Sequence, residues 1–365
     1  MQKELRSGFT TGTHATAIFG AVLKSYLDEE ILSTIGVFLP KGDCVDIDVK
    51  HIAKNHFSTI KVDNDDLDVT KGCCIEAELF LSTPQNLKVQ TPSFFKVQNT
   101  SFFIYAGDGV GVVTKKGLKI SPSFPAINPV PLEMMQEIAS IIKDEEKREL
   151  HIVIGVVNGQ EIAKQTANEK VGVLGGISIL GTRGIVKPIS ADAYLDSIET
   201  EIKVADANTI ENIVFTLGNT SHDYALKHFE ELEVVEVGNF VYEASQKLKG
   251  THFKKMTFIC GVGKMCKIAQ GCKNTHNRFG SIDFDEVKLW LKQELEIDFY
   301  SEEFATLKAV LLKLSDEQSK LFISFLGYKS SERFKEWFEE LNVTVREIEI
   351  ITLYAKEAIQ RNLKW

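Results

Sequence analysis

Four stretches of this chain have the residue types to hold an anion. Residues 5–27, 109–132, 171–190 and 261–280 contain 15 of the 25 glycines and no aspartate or glutamate. Their charged residues are all basic: Arg6, Lys24, Lys115, Lys116, Lys119, Arg183, Lys187, Lys264, Lys267, Lys273 and Arg278. Glycine lets backbone N–H groups approach a ligand closely. Arginine, lysine and hydroxyl donors bind carboxylates and phosphates, and leaving carboxylates out removes like-charge repulsion. One such stretch reads as a basic turn. Four together point to a small polyanionic ligand. His14 and His276 are the two histidines within these stretches. Each is a candidate for moving a proton, against the plainer reading of a structural histidine.

Other chemistries fail on spacing. Gly261-Val262-Gly263-Lys264 resembles the end of a phosphate loop, but Met265 stands where Ser or Thr is needed and Phe258 where the first glycine belongs. GDGVG at 107–111 runs into VVT, not into a helix, and lacks dinucleotide spacing. No G-x-S-x-G elbow is present. Cys266, Cys272 and His276 match no zinc pattern, so no metal site of the protein's own is expected.

The elements that position these stretches are of two kinds. Thr10, Thr11 and Thr13 offer capping hydroxyls to a helix over 9–27. Short strands follow within 34–62, at 75–82 and at 102–106, and a helix is expected at 132–146 after Pro129 and Pro131. From about 150 buried strands alternate with helices: strands at 151–157, 212–218, 233–238 and 255–261, helices at 191–207, 222–231, 240–249 and 263–270. The fold class is α/β in two domains. An α+β domain spans 1–149, and a Rossmann-like parallel α/β domain spans 150–282. A helical extension, 283–365, either caps the second domain or forms a dimer surface. Ligands in parallel sheets bind beyond the carboxyl ends of the strands. Gly218, Asn219, Thr220 and Ser221, with Gly261 and Gly263, occupy two such ends.

The chain's 365 residues exceed one core, which stops growing at roughly 250–300 residues. The net charge of −9 argues against nucleic acid as a partner. No apolar run approaches the ~18 residues of a membrane span, and no signal peptide is evident, so a cytoplasmic protein with reduced cysteines is expected.

In order along the chain, LRSGFTTGTHATA (5–17), GDGVGVVTKKGL (107–118) with PAINPVP (125–131), GVLGGISILGTRGIVKPIS (172–190) and GKMCKIAQGCKNTHNRFGSIDF (263–284) resemble the cobalt-precorrin-5B C-1-methyltransferases, the CbiD type of anaerobic cobalamin biosynthesis. The resemblance implies methyl transfer from S-adenosylmethionine to carbon 1 of a cobalt-corrin precursor. A two-carbon fragment is lost and cobalt-precorrin-6A results. Cobalt then arrives only as part of the substrate, whose acetate and propionate arms make it a polyanion. The resemblance also implies a first domain like that of GHMP kinases and a Rossmann-like second domain. On this reading Arg6, Lys115, Arg183, Lys187 and Arg278 meet the carboxylates, with hydroxyls from Thr10, Thr11 and Thr13. His276 and Asp108 are the acid–base candidates for releasing the fragment. Gly218–Ser221, Gly261 and Gly263 take S-adenosylmethionine. Transient contact with neighbouring pathway enzymes is expected. The chain departs from the family at His14, where members carry Cys, at Cys260-Gly261-Val262, and at Asn274 and Asn277 around Thr275-His276. A GHMP-like small-molecule kinase and a non-catalytic tetrapyrrole carrier are the competing readings.

Overall fold

The computed structural model describes residues 6–62, 64–65, 68–85, 87, 91–141, 146–186, 191–355 and 357–364. Lys187 lies outside them. The chain divides into two compact units, Met1–Ser190 and Ala191–Trp365. The boundary falls near 190, not at 149.

The first unit is built on helix α1, Thr11–Leu27. Thr10 caps it, its hydroxyl accepting from the Thr13 N–H at 3.2 Å. Every residue from Thr11 to Leu23 is buried, as expected of a helix with small or apolar residues on all sides. Around it stands a six-stranded sheet of β1 (Lys50–Ala53), β2 (His56–Ile60), β3 (Cys74–Phe80), β4 (Ser93–Val97), β5 (Thr100–Ala106) and β6 (Glu149–Val156), in the order β1-β2-β3-β6-β5-β4. Helix α2, Pro129–Ile141, packs on α1, where Gly20 lies close to Ile138. Strand β6 corrects the expected boundary. It pairs antiparallel with β3 and parallel with β5 in the first sheet. A continuous apolar run announces a central strand buried on both faces, but not the sheet it joins.

His14, fully buried on α1, shows how this core handles a polar group. Its Nε2 accepts from the Val62 N–H at 3.4 Å, so Nδ1 carries the proton toward Thr59 Oγ1 at 3.1 Å. Burial, and then the Lys61 charge, lower its pKa from 6.5 to about 4. The unfolded chain therefore binds the extra proton first. Stability from this group is complete above pH 6.5 and falls as pH drops toward 4, by about 3 kcal/mol in all. Urea unfolding of His14→Gln should show a flatter loss of stability over that window than wild type.

The second unit alternates as the sequence predicts. It runs α3 (Ala191–Ala207), β7 (Asn212–Leu217), α4 (Asn219–His228), β8 (Val234–Glu236), α5 (Val241–Gln246), β9 (Lys255–Gly261), α6 (Val262–Ala269), α7 (Phe284–Leu295), α8 (Asp316–Leu341), β10 (Glu347–Tyr354) and β11 (Glu357–Lys364). A five-residue helix, Leu307–Leu311, lies between α7 and α8. The sheet order is β8-β7-β9-β10-β11; the first four strands are parallel and β11 runs antiparallel at the edge. Helix α4 packs on one face through Ala225, and α3, α5, α6, α7 and α8 cover the other. The tail is thus not wholly helical. EIEIITLY forms β10 because Ile348 and Ile350 face one core and Ile351 the other. An apolar run buried on both faces cannot be told from a helix by periodicity alone. No helix of the described residues is long and apolar enough to cross a membrane.

Candidate functional site

In the first unit three of the acid-free stretches are knitted together. Gly8 and Phe9 pair with Val186 and Ile185, Val112 and Val113 with Leu174 and Val173, and Gly109 and Val110 with Gly176 and Ile177. The glycines here serve packing. A Cβ on Gly109 would lie 1.9 Å from the Val156 carbonyl oxygen, and one on Gly159 or Gly176 would lie 2.2 or 2.1 Å from the Gly109 carbonyl oxygen. The threonines serve the same junction. Thr11 Oγ1 donates to Leu180 O at 3.2 Å and accepts from Leu180 N at 3.0 Å, while Thr13 Oγ1 donates to Gly184 O at 2.8 Å. Thr10, Thr11 and Thr13 are all buried. The Thr11 and Thr13 hydroxyls tie α1 to the 176–186 segment, the Thr10 hydroxyl caps α1, and none of the three residues lines an open surface.

The basic candidates divide. Arg6 is exposed and forms an ion pair with Asp65 at 3.0 Å. Lys115 is half-buried over Gly172 and donates to the Lys170 carbonyl at 2.9 Å. Arg183 is exposed. Asp108, also exposed, borders a pocket of about 560 Å³ lined by Glu76, Glu78, Glu161, His56 and the backbone of Gly107 and Gly109. Among the described residues, no lysine or arginine lines it. A pocket with this many carboxylates has the wrong sign for a polyanion.

The second unit presents a different arrangement. From β7 the chain crosses to β8 on one side, and from β9 to β10 on the other. The crevice at such a reversal of strand order is where ligands of parallel sheets bind. Leu217 and Cys260 are register partners, so Gly218 and Gly261 follow side by side at this edge. Gly218 (φ +89°) caps α4 and Gly261 caps α6, and neither helix start has a side-chain cap. Such helix starts leave N–H groups for a ligand. A Cβ on Gly218, Gly261 or Gly263 would meet nothing within 4 Å. At Gly261 and Gly263, neither φ nor packing requires glycine. Asn219 and Thr220 are exposed, whereas Ser221 is buried.

Beside this edge, two lysines hold the 271–280 loop. Lys264 Nζ donates to Asn239 Oδ1 at 2.9 Å and to Thr275 O at 2.8 Å. Lys267, only 4% exposed, donates to Asn277 Oδ1 at 2.8 Å, Gly280 O at 2.7 Å and Thr275 O at 3.2 Å. Burial, then the charge of Lys267, lowers the Lys264 pKa. Neither lysine is among the residues that the resemblance assigns to the substrate carboxylates, although their i,i+3 spacing is plain in the sequence. The loop they fix carries His276 and Arg278, both exposed. His276 Nδ1 accepts from the Arg278 N–H at 3.1 Å, leaving Nε2 as the ring nitrogen facing outward chemistry. His276 and Asp108 belong to different units.

The family model CbiD matches residues 1–188. A cobalt-precorrin-5B C(1)-methyltransferase of Methanococcus maripaludis is 38% identical over 278 residues, 74% of this chain and 73% of its own. One of Marinomonas is 35% identical over 299 residues, 76% of this chain and 74% of its own. The crystal structure of a cobalamin biosynthesis protein (cbiD) from Archaeoglobus fulgidus is 29% identical, covering 74% of this chain and 81% of that one, with a TM-score of 0.40. On the family match and these identities, the chain belongs to the CbiD family.

Proposed function

We propose that this protein is an S-adenosylmethionine-dependent C-methyltransferase that methylates carbon 1 of cobalt-precorrin-5B, giving cobalt-precorrin-6A and S-adenosylhomocysteine. The second unit acts as a Rossmann-like donor-binding domain. One observation carries this reading: two adjacent strand ends lead into helices capped by glycine, and two of their glycines, Gly261 and Gly263, answer no need of the fold itself. S-adenosylmethionine supplies an electrophilic sulfonium methyl when bound. The chain's part is to hold it at Gly218–Ser221 and Gly261–Gly263, orient it, and keep water away.

For the polyanionic ring, the exposed guanidiniums of Arg183 and Arg278 are the strongest candidates. Arg6 and Lys115 contribute charge while anchored to Asp65 and to the Lys170 carbonyl. Lys187 completes the set from outside the described residues. His276, offering Nε2, is the acid–base candidate for taking up the proton that the methylated ring gives up, ahead of Asp108, whose pocket is acidic. All six cysteines are free thiols, which suits a cytoplasmic enzyme.

The test supplies cobalt-precorrin-5B and S-adenosylmethionine to the purified protein and follows mass. Gain of one methyl on the macrocycle, matched by formation of S-adenosylhomocysteine, is expected. Macrocycle binding without methyl gain favours the carrier, and ATP consumption in a parallel reaction supplied with ATP favours the kinase.

A further inference from the structure

The first β-α-β passage of the second unit continues beyond its glycine turn in a way that says which end of the donor lies where. Strand β7 ends at Leu217, Gly218 makes the turn, α4 follows, and β8 closes the passage at Glu236. In nucleotide-binding units of this connectivity, an acidic residue about 20 residues past the glycine turn meets the ribose hydroxyls. Glu236 occupies that place. It ends β8 in register with Thr216, two positions before Gly218, so its carboxylate belongs to the same carboxyl edge as the glycine turn. The side chain is half-buried and, among the described residues, has neither an ion pair nor a hydrogen bond.

Its surroundings suit the rest of a nucleoside. Tyr194 Oη donates to the Glu236 carbonyl at 3.0 Å. The Tyr194 and Phe240 rings lie 5.7 Å apart, tilted at 43°. Between Glu236 and Phe240 the backbone turns at Gly238 (φ +53°), where a Cβ would come within 3.0 Å of Tyr194 Oη. Burial, then the nearby Glu236 and Glu201 carboxylates, push the Tyr194 hydroxyl up to about 12, so it stays a neutral donor. An aromatic pair beside a carboxylate is the usual furniture for a purine and its diol: the rings offer a stacking wall and the carboxylate two acceptors.

We propose that Glu236 accepts hydrogen bonds from the ribose hydroxyls of S-adenosylmethionine, with Tyr194 and Phe240 walling the adenine. The nucleoside then lies toward β8 and the methionine end toward Gly261 and α6. This rests on the donor-site reading above and adds an orientation to it.

Calorimetric titration tests it with S-adenosylhomocysteine and its 2′-deoxy and 3′-deoxy forms, on wild type and on Glu236→Gln. Loss of the engaged hydroxyl should weaken wild-type binding about tenfold, and Glu236→Gln should weaken S-adenosylhomocysteine binding by about as much. In Glu236→Gln the deoxy forms should then show little further loss, because the interaction has already gone. Tyr194→Ala, at a partly exposed ring, should weaken adenosine-containing ligands severalfold. Tight wild-type binding with Glu236→Gln unchanged, or with fully additive losses, overturns the orientation and leaves the donor site standing. No binding to wild type overturns both.

Discussion

Gly263→Ala will bind S-adenosylhomocysteine about fivefold to about a hundredfold more weakly than wild type, yet unfold at the same temperature or a higher one. The two halves have separate causes. Gly263 is the second residue of α6, and a Cβ there meets no protein atom within 4 Å. Alanine is favoured over glycine inside a helix by about 0.5–1 kcal/mol, so the fold has nothing to lose. A methyl placed where a ligand packs costs about 1–3 kcal/mol, and each 1.4 kcal/mol is a factor of ten in affinity. Gly261→Ala should behave alike, since its φ of −72° suits any residue. Thermal unfolding and calorimetry on the same preparations check both halves. Unchanged affinity in both variants would show that the glycines do not face the donor.

Gly109→Ala, by contrast, will cost about 3–5 kcal/mol of stability, read as a lower urea midpoint. Two penalties combine. Gly109 has φ +77°, where a side chain is strained, and its Cβ would lie 1.9 Å from the Val156 carbonyl oxygen and about 3 Å from the backbone of Gly159. That oxygen belongs to β6, a central strand of the first sheet, and cannot swing aside as a side chain would. The variant's donor affinity should fall only as far as the folded fraction falls. These two glycines lie in stretches of the same composition, yet one serves backbone packing and the other stands where a Cβ would meet no protein atom.

That contrast marks what the sequence could and could not say. The parallel strands of the second unit were legible because buried β-branched runs end in glycine and lead into amphipathic helices, as at Leu217-Gly218 and Cys260-Gly261. Helix α1 was legible from Thr10 and the small apolar residues behind it. The sheet joined by residues 149–156 was not, because an apolar strand carries no record of its neighbours. Nor was the β10–β11 hairpin, whose isoleucines satisfy two cores at once. The position of Gly218 and Gly261 at adjacent strand ends was legible from topology alone. The engagement of Thr11 with Leu180 and of Lys115 with the Lys170 carbonyl was hidden, since a donor pointed at a carbonyl 169 or 55 residues away leaves no local pattern. Lys264 and Lys267 stood in the sequence only as two of the basic residues of an acid-free stretch. In the structure they are the pins of the loop that bears His276 and Arg278.

Hydrogen–deuterium exchange with and without saturating S-adenosylhomocysteine addresses the donor site most directly. Binding at the paired strand ends should slow exchange in peptides covering 217–222 and 260–265, while 107–113 and 171–186 keep their free rates. Protection confined to 107–113, or absent throughout, would contradict a donor site at Gly218 and Gly261–Gly263.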